Sequence, residues 1–466
     1  MSHLHRPATD GSRGGLLVPA GLVVAAIVVV GLGFVIAGGQ SGNPAVDLAV
    51  AATPTSTQAP AATSSPAPSP AAASTPTTAP SSTSTPAPTP TPAPTATPTP
   101  TPTPTITPEI PAPAPEPALS GPQHPSGETR LVQVQTLTGN LSSKSVVAND
   151  TGTLFAQNMM YQHTISVFDA DGALVRTIPD AVELADFGVE GHPGTTRGAP
   201  VEMAFSPDGQ TGWVSNYSMY GEGFGPEGSD QCSPGDGYDD SYLYEVDVTT
   251  LEIVDAIEVG AVPKYVATTP DGSKVLVTNW CTWDLSVVDT ASNTEIARIP
   301  LDGRYPRGIE VSPDSSTAWI AMMGSDRIAT VDLQSLTMVD GSWSQPGDGP
   351  RHLVLSPDGK LLYVTNNTSG NVVKLDAATG EHLGSVVTGN NARSMDISTD
   401  GEALYVVNYK AETLSKVRTS DMTVVQELPT NAMPIGITYE PTQRRVWVAN
   451  YSGTLQVFDD SHVLLD

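Results

Sequence analysis

The chain has 466 residues, of which 43 are proline and two are cysteine, and it carries a formal net charge of −28 at pH 7. Only four of its 49 acidic residues precede residue 121, so the excess acid lies in the C-terminal part. A phosphate backbone would meet net repulsion there, and this charge excludes nucleic acid as an expected partner.

An uncharged segment, residues 16–38, is the first predicted element. It is long enough to cross a hydrocarbon core of about 30 Å as a helix. Arg6 and Arg13 precede it and no Lys or Arg follows before Arg130, so residues 1–15 are expected in the cytoplasm and the C-terminal part outside. The alternative is a cleaved signal peptide, but its apolar core is shorter, about 7–15 residues. The sequence favours a single-pass signal anchor in the plasma membrane, with an extracellular or periplasmic C-terminal part.

Residues 39–123 consist almost entirely of Pro, Thr, Ala and Ser. Such a composition cannot bury a core, and dense proline favours the extended polyproline II conformation at about 3.1 Å per residue. We therefore expect a disordered stalk. Its many Ser and Thr residues are typical of glycosylated stalks.

Residues 124–466 carry a repeat in which a strand-like run ends in asparagine. Examples are Leu-Tyr-Val-Thr-Asn at 362–366 and Val-Trp-Val-Ala-Asn at 446–450, and most runs follow a turn such as Ser-Pro-Asp-Gly at 356–359. Such a turn between β-branched or aromatic runs forms a hairpin. The turns recur about every 42–44 residues, a period typical of propeller blades with four short strands each. The sequence predicts an all-β, seven-bladed β-propeller.

The last repeat stops after its third strand, at residues 454–459. Residues 130–139 have the form of an outer strand and precede the first full blade. We expect them to complete the last blade, because this removes an open sheet edge.

These motifs resemble the YVTN family of seven-bladed propellers found in bacterial and archaeal surface and secreted proteins. The Tyr-Val-Thr-Asn core stands unaltered at 363–366, whereas blade four departs from it with Trp-Ile-Ala-Met at 319–322. The resemblance implies the fold but leaves the function open, because propellers serve in binding, scaffolding and catalysis alike.

Basic residues recur six positions before the turn in blades three to six. They are Lys264, Arg307, Arg351 and Arg393, whereas blades one, two and seven have Ser143, Val201 and Ile435 there. This position is expected beside the central channel, and the same face is expected to hold the asparagines Asn216, Asn279, Asn366, Asn408 and Asn450. Focused positive charge and amide donors suit an anion or carboxylate. The alternative is that each cation pairs with the next blade and each asparagine caps its own turn.

The longest departure from the repeat is the acidic insertion, residues 217–240 of blade two. Four of its carboxylates lie among glycines, as in loops that wrap calcium, although their spacing matches no EF-hand: Asp230, Asp236, Asp239 and Asp240. A solvated acidic loop is the alternative. No other metal pattern and no cofactor pattern is recognisable, so no cofactor other than calcium is expected.

The two cysteines lie in equivalent loops of neighbouring blades. Cys232 belongs to the acidic insertion, and Cys281 follows the second strand of blade three. Because these loops leave the propeller on one face and the domain is expected to be exported, we predict a disulfide between them.

Residues 347–352, Gly-Asp-Gly-Pro-Arg-His, are similar to a segment of the seven-bladed lactonases related to 6-phosphogluconolactonase. The resemblance implies that Arg351 holds a carboxylate or lactone oxygen and that His352 transfers a proton. Against this, adjacent strand residues face opposite ways, and no second catalytic group stands at a recognisable spacing.

The favoured function is therefore a membrane-anchored, extracytoplasmic propeller that binds a small anionic ligand, a glycan or a protein at one face. A hydrolase of lactone-like substrates and a structural component of a surface layer are the two alternatives. A binding module is favoured over an enzyme because no catalytic set is evident.

Overall fold

The computed structural model describes residues 124–464 except 226–228, 340, 342 and 345. These residues form seven antiparallel sheets, and the innermost strand of each sheet contacts those of both neighbouring sheets around a closed ring. The predicted all-β, seven-bladed propeller is confirmed. The predicted tail, anchor and stalk lie outside the described residues. Within the described part, no helix has the length and apolar character that a membrane span requires.

The strands of each blade are given from the channel outwards. Blade one has Ser145–Ala148, Thr153–Asn158, Thr164–Asp169 and Leu174–Pro179. Blade two has Pro200–Phe205, Thr211–Asn216, Ser241–Asp247 and Glu252–Val259. Blade three has Pro263–Thr268, Lys274–Asn279, Asp284–Asp289 and Thr294–Pro300. Blade four has Pro306–Val311, Thr317–Met322, Arg327–Asp332 and a divided outer strand, Thr337–Met338 and Trp343–Ser344.

Blade five has Pro350–Leu355, Leu361–Asn366, Asn371–Asp376 and His382–Val387. Blade six has Ala392–Ile397, Ala403–Asn408, Thr413–Arg418 and Thr423–Pro429. Blade seven has Pro434–Glu440, Arg445–Asn450, Thr454–Val463 and Thr129–Leu137. A small sheet, Ala181–Glu183 with Thr195–Arg197, links blades one and two, and the 3-10 helices are Ser126–Glu128, Leu184–Phe187 and Pro234–Asp236.

Ser-Pro-Asp-Gly and related turns make the hairpins that begin the blades. In blade five the backbone N–H of Ser356 donates to Leu361, and the Ser356 hydroxyl donates to Asp358. Gly359 adopts a positive φ of 72°, which a residue with a side chain adopts at a cost. The turn residues thus fix the pairing of the two inner strands.

The N-terminal strand completes blade seven as predicted. Residues Thr129–Leu137 pair antiparallel with Thr454–Val463. A fully buried ion pair beside this junction, Lys416 with Asp460, also engages Thr129, whose carbonyl and hydroxyl each accept from the Lys416 ammonium at 2.8 Å. The two ends of the described domain are therefore joined by a sheet and by a buried charge network.

We call the innermost strand of each blade its channel strand. In blades two to seven, the channel strand contains a β-bulge next to its first residue. In blade five Pro350 pairs with Asn366 and His352 with Thr365, so Arg351 has no partner in the ladder. A bulge places two residues opposite one and redirects their side chains. The strict alternation expected for adjacent residues does not hold at Arg351 and His352.

Candidate functional site

The cluster of basic side chains at the channel mouth is larger than the sequence predicted. The structure places Lys264, Arg307 and Arg351 on the channel strands at 5% exposure each, and Arg393 lies in the equivalent bulge of blade six. Lys144, 6% exposed, occupies the same place in blade one. We call these five residues the cation cluster.

Counting six positions back from the turn missed Lys144 because the first turn of blade one is one residue shorter. There the N–H of Asn149 donates to Thr153, four residues on, whereas Ser356 in blade five donates to Leu361, five residues on. Asn149 is therefore the counterpart of Ser356, and Asp150 is the counterpart of Pro357. Counting from Asp150 instead would have found Lys144.

Among the described residues, Lys264 is the one member of the cation cluster that forms an ion pair. Its ammonium lies 3.0 Å from a carboxylate oxygen of Asp230, in the acidic insertion. The same ammonium lies 4.0 Å from the ring centre of Tyr217 and 5.3 Å from that of Trp280. Lys264 is thus held by one carboxylate and two aromatic faces.

The arginines of the cluster have neutral partners. Arg351 donates to the Ser394 hydroxyl at 3.2 Å, and the Arg393 guanidinium lies 3.7 Å from the centre of the Tyr409 ring. The Nε atom of Arg393 is buried without a hydrogen-bond partner among the described residues. In that part of the chain, the side chains of Lys144 and Arg307 have neither a hydrogen bond nor an ion pair.

Burial and mutual repulsion destabilise the charged forms of these side chains. Burial lowers the pKa of Lys144 well below its usual value, and the charges of Arg307 and Arg351 lower it further. Burial also lowers the pKa of Lys264 to about 8, although Asp230 opposes the shift. Glu202, the carboxyl group nearest to Lys144, itself has a pKa raised by burial. The site therefore concentrates positive charge that the described residues only partly neutralise.

A hydrogen bond between Tyr265 and His352 crosses the channel beside the cluster. The Tyr265 oxygen lies 2.8 Å from Nε2 of His352, although these residues belong to blades three and five. Between these blades, blade four approaches blade five closely at Gly308, where an added Cβ would lie 2.9 Å from the Arg351 carbonyl. The charges of Arg351, Arg307 and Lys144 act on His352, so the Tyr265–His352 pair lies next to the cation cluster; we call this pair the channel floor.

Two carboxyl groups lie on the channel strands beyond that floor. Glu310 accepts from the backbone of blade five, and Asp396 accepts from the N–H of Tyr439 in blade seven at 2.7 Å. Burial, with the neighbouring Asp396 charge, raises the pKa of Glu310 to about 8, and burial raises that of Asp396 to about 6. The channel is thus basic on one side of the floor and acidic on the other.

The five predicted asparagines do not face this site. Asn216, Asn279, Asn366, Asn408 and Asn450 are all fully buried. The Asn279 amide donates to Asp284 at 2.7 Å and to Ser286 at 2.8 Å, both in its own blade. A glycine backbone packs over several of them, and an added Cβ at Gly389 would lie 2.8 Å from Asn408. The asparagines organise the blades, so we remove them from the proposed ligand set.

The carboxylates of the acidic insertion do not converge on a calcium site. Asp230 pairs with Lys264, Asp240 with Arg298 at 2.6 Å, Asp236 accepts from Ser233, and Asp239 accepts from the Gly225 N–H. Within the described ranges, no three His, Cys, Asp or Glu side chains are grouped to hold a metal ion. The geometry gives the weak calcium prediction no support.

The predicted disulfide between Cys232 and Cys281 is confirmed, with Cα atoms 5.2 Å apart. It fastens the acidic insertion to blade three. Next to it, the indole N–H of Trp280 donates to the carbonyl of Asp230 at 3.1 Å. The disulfide therefore helps to hold Asp230 against Lys264.

Comparisons with known proteins relate the chain to other propellers. The family model described as "Lactonase, 7-bladed beta-propeller" matches residues 240–382, and that described as "Cytochrome D1 heme domain" matches residues 349–452. Hydrazine synthase subunit beta of Kuenenia stuttgartiensis is 29% identical over 153 residues, which cover 24% of this chain and 40% of that protein. The match thus spans less than half the length of that relative.

The solved structure of Kuenenia stuttgartiensis hydrazine synthase superposes with a TM-score of 0.55 and 19% identity, over 71% of this chain and 99% of that chain. At this identity the likeness concerns the fold. The chain is a seven-bladed β-propeller, related in parts of its length to the lactonase and cytochrome d1 haem-domain families and to a hydrazine synthase subunit.

Proposed function

We propose that this chain is an extracytoplasmic, membrane-anchored propeller that binds a small anionic ligand at the mouth of its channel. The observation that carries the proposal is the cation cluster: four buried basic side chains and the partly buried Arg393, of which Lys264 alone has an ion pair among the described residues. A buried charge without a partner is strongly unfavourable. An anion that neutralises several of these charges at once supplies the missing partner.

The position of the cluster supports ligand access. Tyr217, Trp280, Tyr409 and Tyr451 each follow the end of a second strand, and three of them contact cluster cations or stack near them. Burial raises the pKa of Tyr451 to about 12, so it stays neutral as a hydrogen-bond donor beside the arginines. An anion entering the mouth meets aromatic faces first and the cations below them.

The test is a binding and stability experiment on the full-length protein. A panel of monovalent and multivalent anions is screened by thermal shift, and the affinity of the best anion is measured by calorimetry for wild type and Arg351→Met. We expect the variant to bind about 10- to 100-fold more weakly, the loss typical of one charged hydrogen bond. Without ligand, it should melt at or above the wild-type temperature because a buried repulsive charge is removed.

Arg418→Met is the matched control, because Arg418 pairs with Asp421 on the outside of blade six at 35% exposure. It should change neither property appreciably. If Arg351→Met instead melts lower and binds every anion as wild type does, the cations are struts between blades and the proposal fails. The same holds if no anion stabilises the wild-type protein.

The anchor and stalk extend the proposal to the cell surface. Residues 16–38 would tether the chain, and residues 39–123 would hold the propeller away from the bilayer. Retention of the protein in the membrane fraction after carbonate extraction supports the anchor, and release of a processed soluble form contradicts it. A structural surface-layer role would instead require lateral self-association, which sedimentation of the full-length protein detects.

A lactone hydrolase is the second candidate, because the lactonase family model covers residues 240–382 and thus both Arg351 and His352. The bulge brings these two side chains to one region of the channel. However, both ring nitrogens of His352 are engaged, and burial lowers its pKa to about 3. Measurable hydrolysis of glucono-δ-lactone that is lost in His352→Gln would favour the enzyme over the binding module.

Haem is raised by the name of one similar family, the cytochrome d1 haem domain. A haem needs an axial ligand such as a histidine with a free ring nitrogen. His352 is the histidine carried by the channel strands, and Tyr265 and the Met395 N–H occupy its two nitrogens. The channel residues therefore do not fit a haem, and we assign it no part in the function.

A further inference from the structure

The proton on His352 can be located from its neighbours. The backbone N–H of Met395 donates to Nδ1 of His352 at 3.2 Å. A nitrogen that accepts a hydrogen bond carries no proton, so the proton of the neutral ring is on Nε2. Nε2 lies 2.8 Å from the Tyr265 oxygen and therefore donates to it.

The ring is neutral at physiological pH. Burial lowers the pKa of His352 to about 3, and the nearby charges of Arg351, Arg307 and Lys144 act in the same direction. Blade six therefore fixes the tautomer through Met395, and the tautomer fixes the role of Tyr265 as an acceptor in this pair.

As a result, the Tyr265 hydroxyl keeps its own proton for another partner. Within the described part of the chain the hydroxyl has no acceptor, since its hydrogen bond is the one that it accepts from His352. Burial raises the pKa of Tyr265 well above its usual value, so the proton stays on the oxygen. The Tyr265 side chain is partly buried, and a hydroxyl left without an acceptor among the protein groups is available to a bound ligand.

The charges around this hydroxyl limit what the acceptor is. Asp230 compensates the charge of Lys264, whereas the three arginines of the cluster have no carboxylate partner among the described residues. Glu202, Glu310 and Asp396 also act on the Tyr265 hydroxyl, but burial raises the pKa of each of these carboxyl groups and so favours its neutral form. The three guanidinium charges are therefore the ones that a ligand meets. A monovalent anion would leave most of that charge uncompensated, whereas a multivalent one would neutralise it.

We propose that the Tyr265 hydroxyl donates a hydrogen bond to a ligand oxygen at the channel floor, and that the ligand is a compact oxyanion with two or more negative charges, such as a polycarboxylate or a phosphorylated compound. This inference rests on the proposed anion-binding function and specifies its ligand class. The arginines and Lys144 hold the charge of the ligand, and Tyr265 sets how deeply it sits.

The test compares three probes by calorimetry on the full-length protein: citrate, pyrophosphate and acetate. We expect citrate or pyrophosphate to bind wild type at least about 10-fold more tightly than acetate, since additional charge contacts each contribute about 1.5–3 kcal/mol. Tyr265→Phe should weaken the preferred probe by about 5- to 20-fold, as expected for the loss of one hydrogen bond. Tyr363→Phe is the control, because Tyr363 is a buried tyrosine, 1% exposed, in the second strand of blade five and outside the cation cluster.

The outcomes separate this inference from the anion-binding proposal. If Arg351→Met loses affinity but Tyr265→Phe does not, the role of Tyr265 is refuted while anion binding stands. If acetate binds as tightly as citrate and pyrophosphate, or if neither of these two binds wild type, the ligand class is refuted.

A second measurement needs no ligand. In nitrogen-15 spectra the His352 ring should be neutral with its proton on Nε2 between pH 5 and 8. A proton on Nδ1 would leave the Tyr265 hydroxyl as the donor to His352 and would overturn the inference directly. Unliganded melting temperatures of both tyrosine variants identify any folding defect.

Discussion

The buried ion pair at the junction of the two chain ends gives the sharpest stability prediction. Lys416 and Asp460 are both fully buried, and Asp460 also accepts from the hydroxyls of Thr129 and Tyr405. Replacing Lys416 with methionine keeps most of the volume but leaves the Asp460 carboxylate without its counter-charge. Breaking a buried pair in this way costs about 3–5 kcal/mol.

For a domain of this size, about 2 °C per kcal/mol is the lower end of the usual range, so the melting temperature should fall by about 6–10 °C. Differential scanning calorimetry of wild type and Lys416→Met measures the shift. The exposed pair Lys360 with Asp358 is the matched control, with side-chain exposures of 76% and 54%. Lys360→Met should leave the melting temperature close to that of wild type.

The double variant Lys416→Met with Asp460→Leu tests the cause. It removes both charges and should recover much of the lost stability, because a buried pair replaced by apolar groups is often neutral. If Lys416→Met shifts the melting temperature no more than Lys360→Met does, the charge network does not stabilise the junction. A double variant less stable than the single one would show that packing, and not charge, is responsible.

Three further perturbations probe the channel and the insertion. Gly308→Val should lower the free energy of unfolding by several kcal/mol and weaken anion binding, because its Cβ would lie 2.9 Å from the Arg351 carbonyl. Urea unfolding measures the stability and calorimetry measures the affinity. A variant with wild-type stability and affinity would contradict the close approach. Burial raises the pKa of Glu310 to about 8, above its unfolded value, so its contribution to stability is complete below about pH 4.5 and is lost as the pH rises through 8. The free energy of unfolding from urea titrations between pH 5 and 8 should therefore fall by up to about 1.4 kcal/mol per pH unit more in wild type than in Glu310→Gln, and parallel curves would refute the shift. Reducing the disulfide Cys232–Cys281, whose cysteines are 49 residues apart, should cost roughly 2–4 kcal/mol, and two cysteines alkylated without prior reduction would show that the bond is absent from the exported protein.

The fold could be predicted from the sequence because its signals are local and repeated. The turn at residues 356–359 and the strand ending at Asn366 specify one hairpin, and their recurrence specifies the blades. The closure by residues 129–137 was also predictable, because a missing outer strand at one end matched a surplus strand at the other.

The site could be predicted only in part, because its groups come together from different blades. The cation row followed from one position of the repeat, yet Lys144 was missed through a turn shorter by one residue. The hydrogen bond between Tyr265 and His352 joins residues 87 positions apart in different blades, and no single repeat contains that information. The asparagines were included in the predicted ligand set because a recurrence that marks a ligand site also marks a structural one, and their side chains are buried within the blades.

The strand exchange at blade seven also bears on when this protein can fold. Thr129 pairs with Val463, so the first strand to emerge during synthesis or export must wait for the last one, more than three hundred residues later. Contacts of such separation make folding slow, and the waiting strand and the unfinished blade both expose edges that pair with other chains. A nascent propeller is thus the form most prone to aggregate. Chaperones that cover strand edges should matter more for its yield than for its final stability.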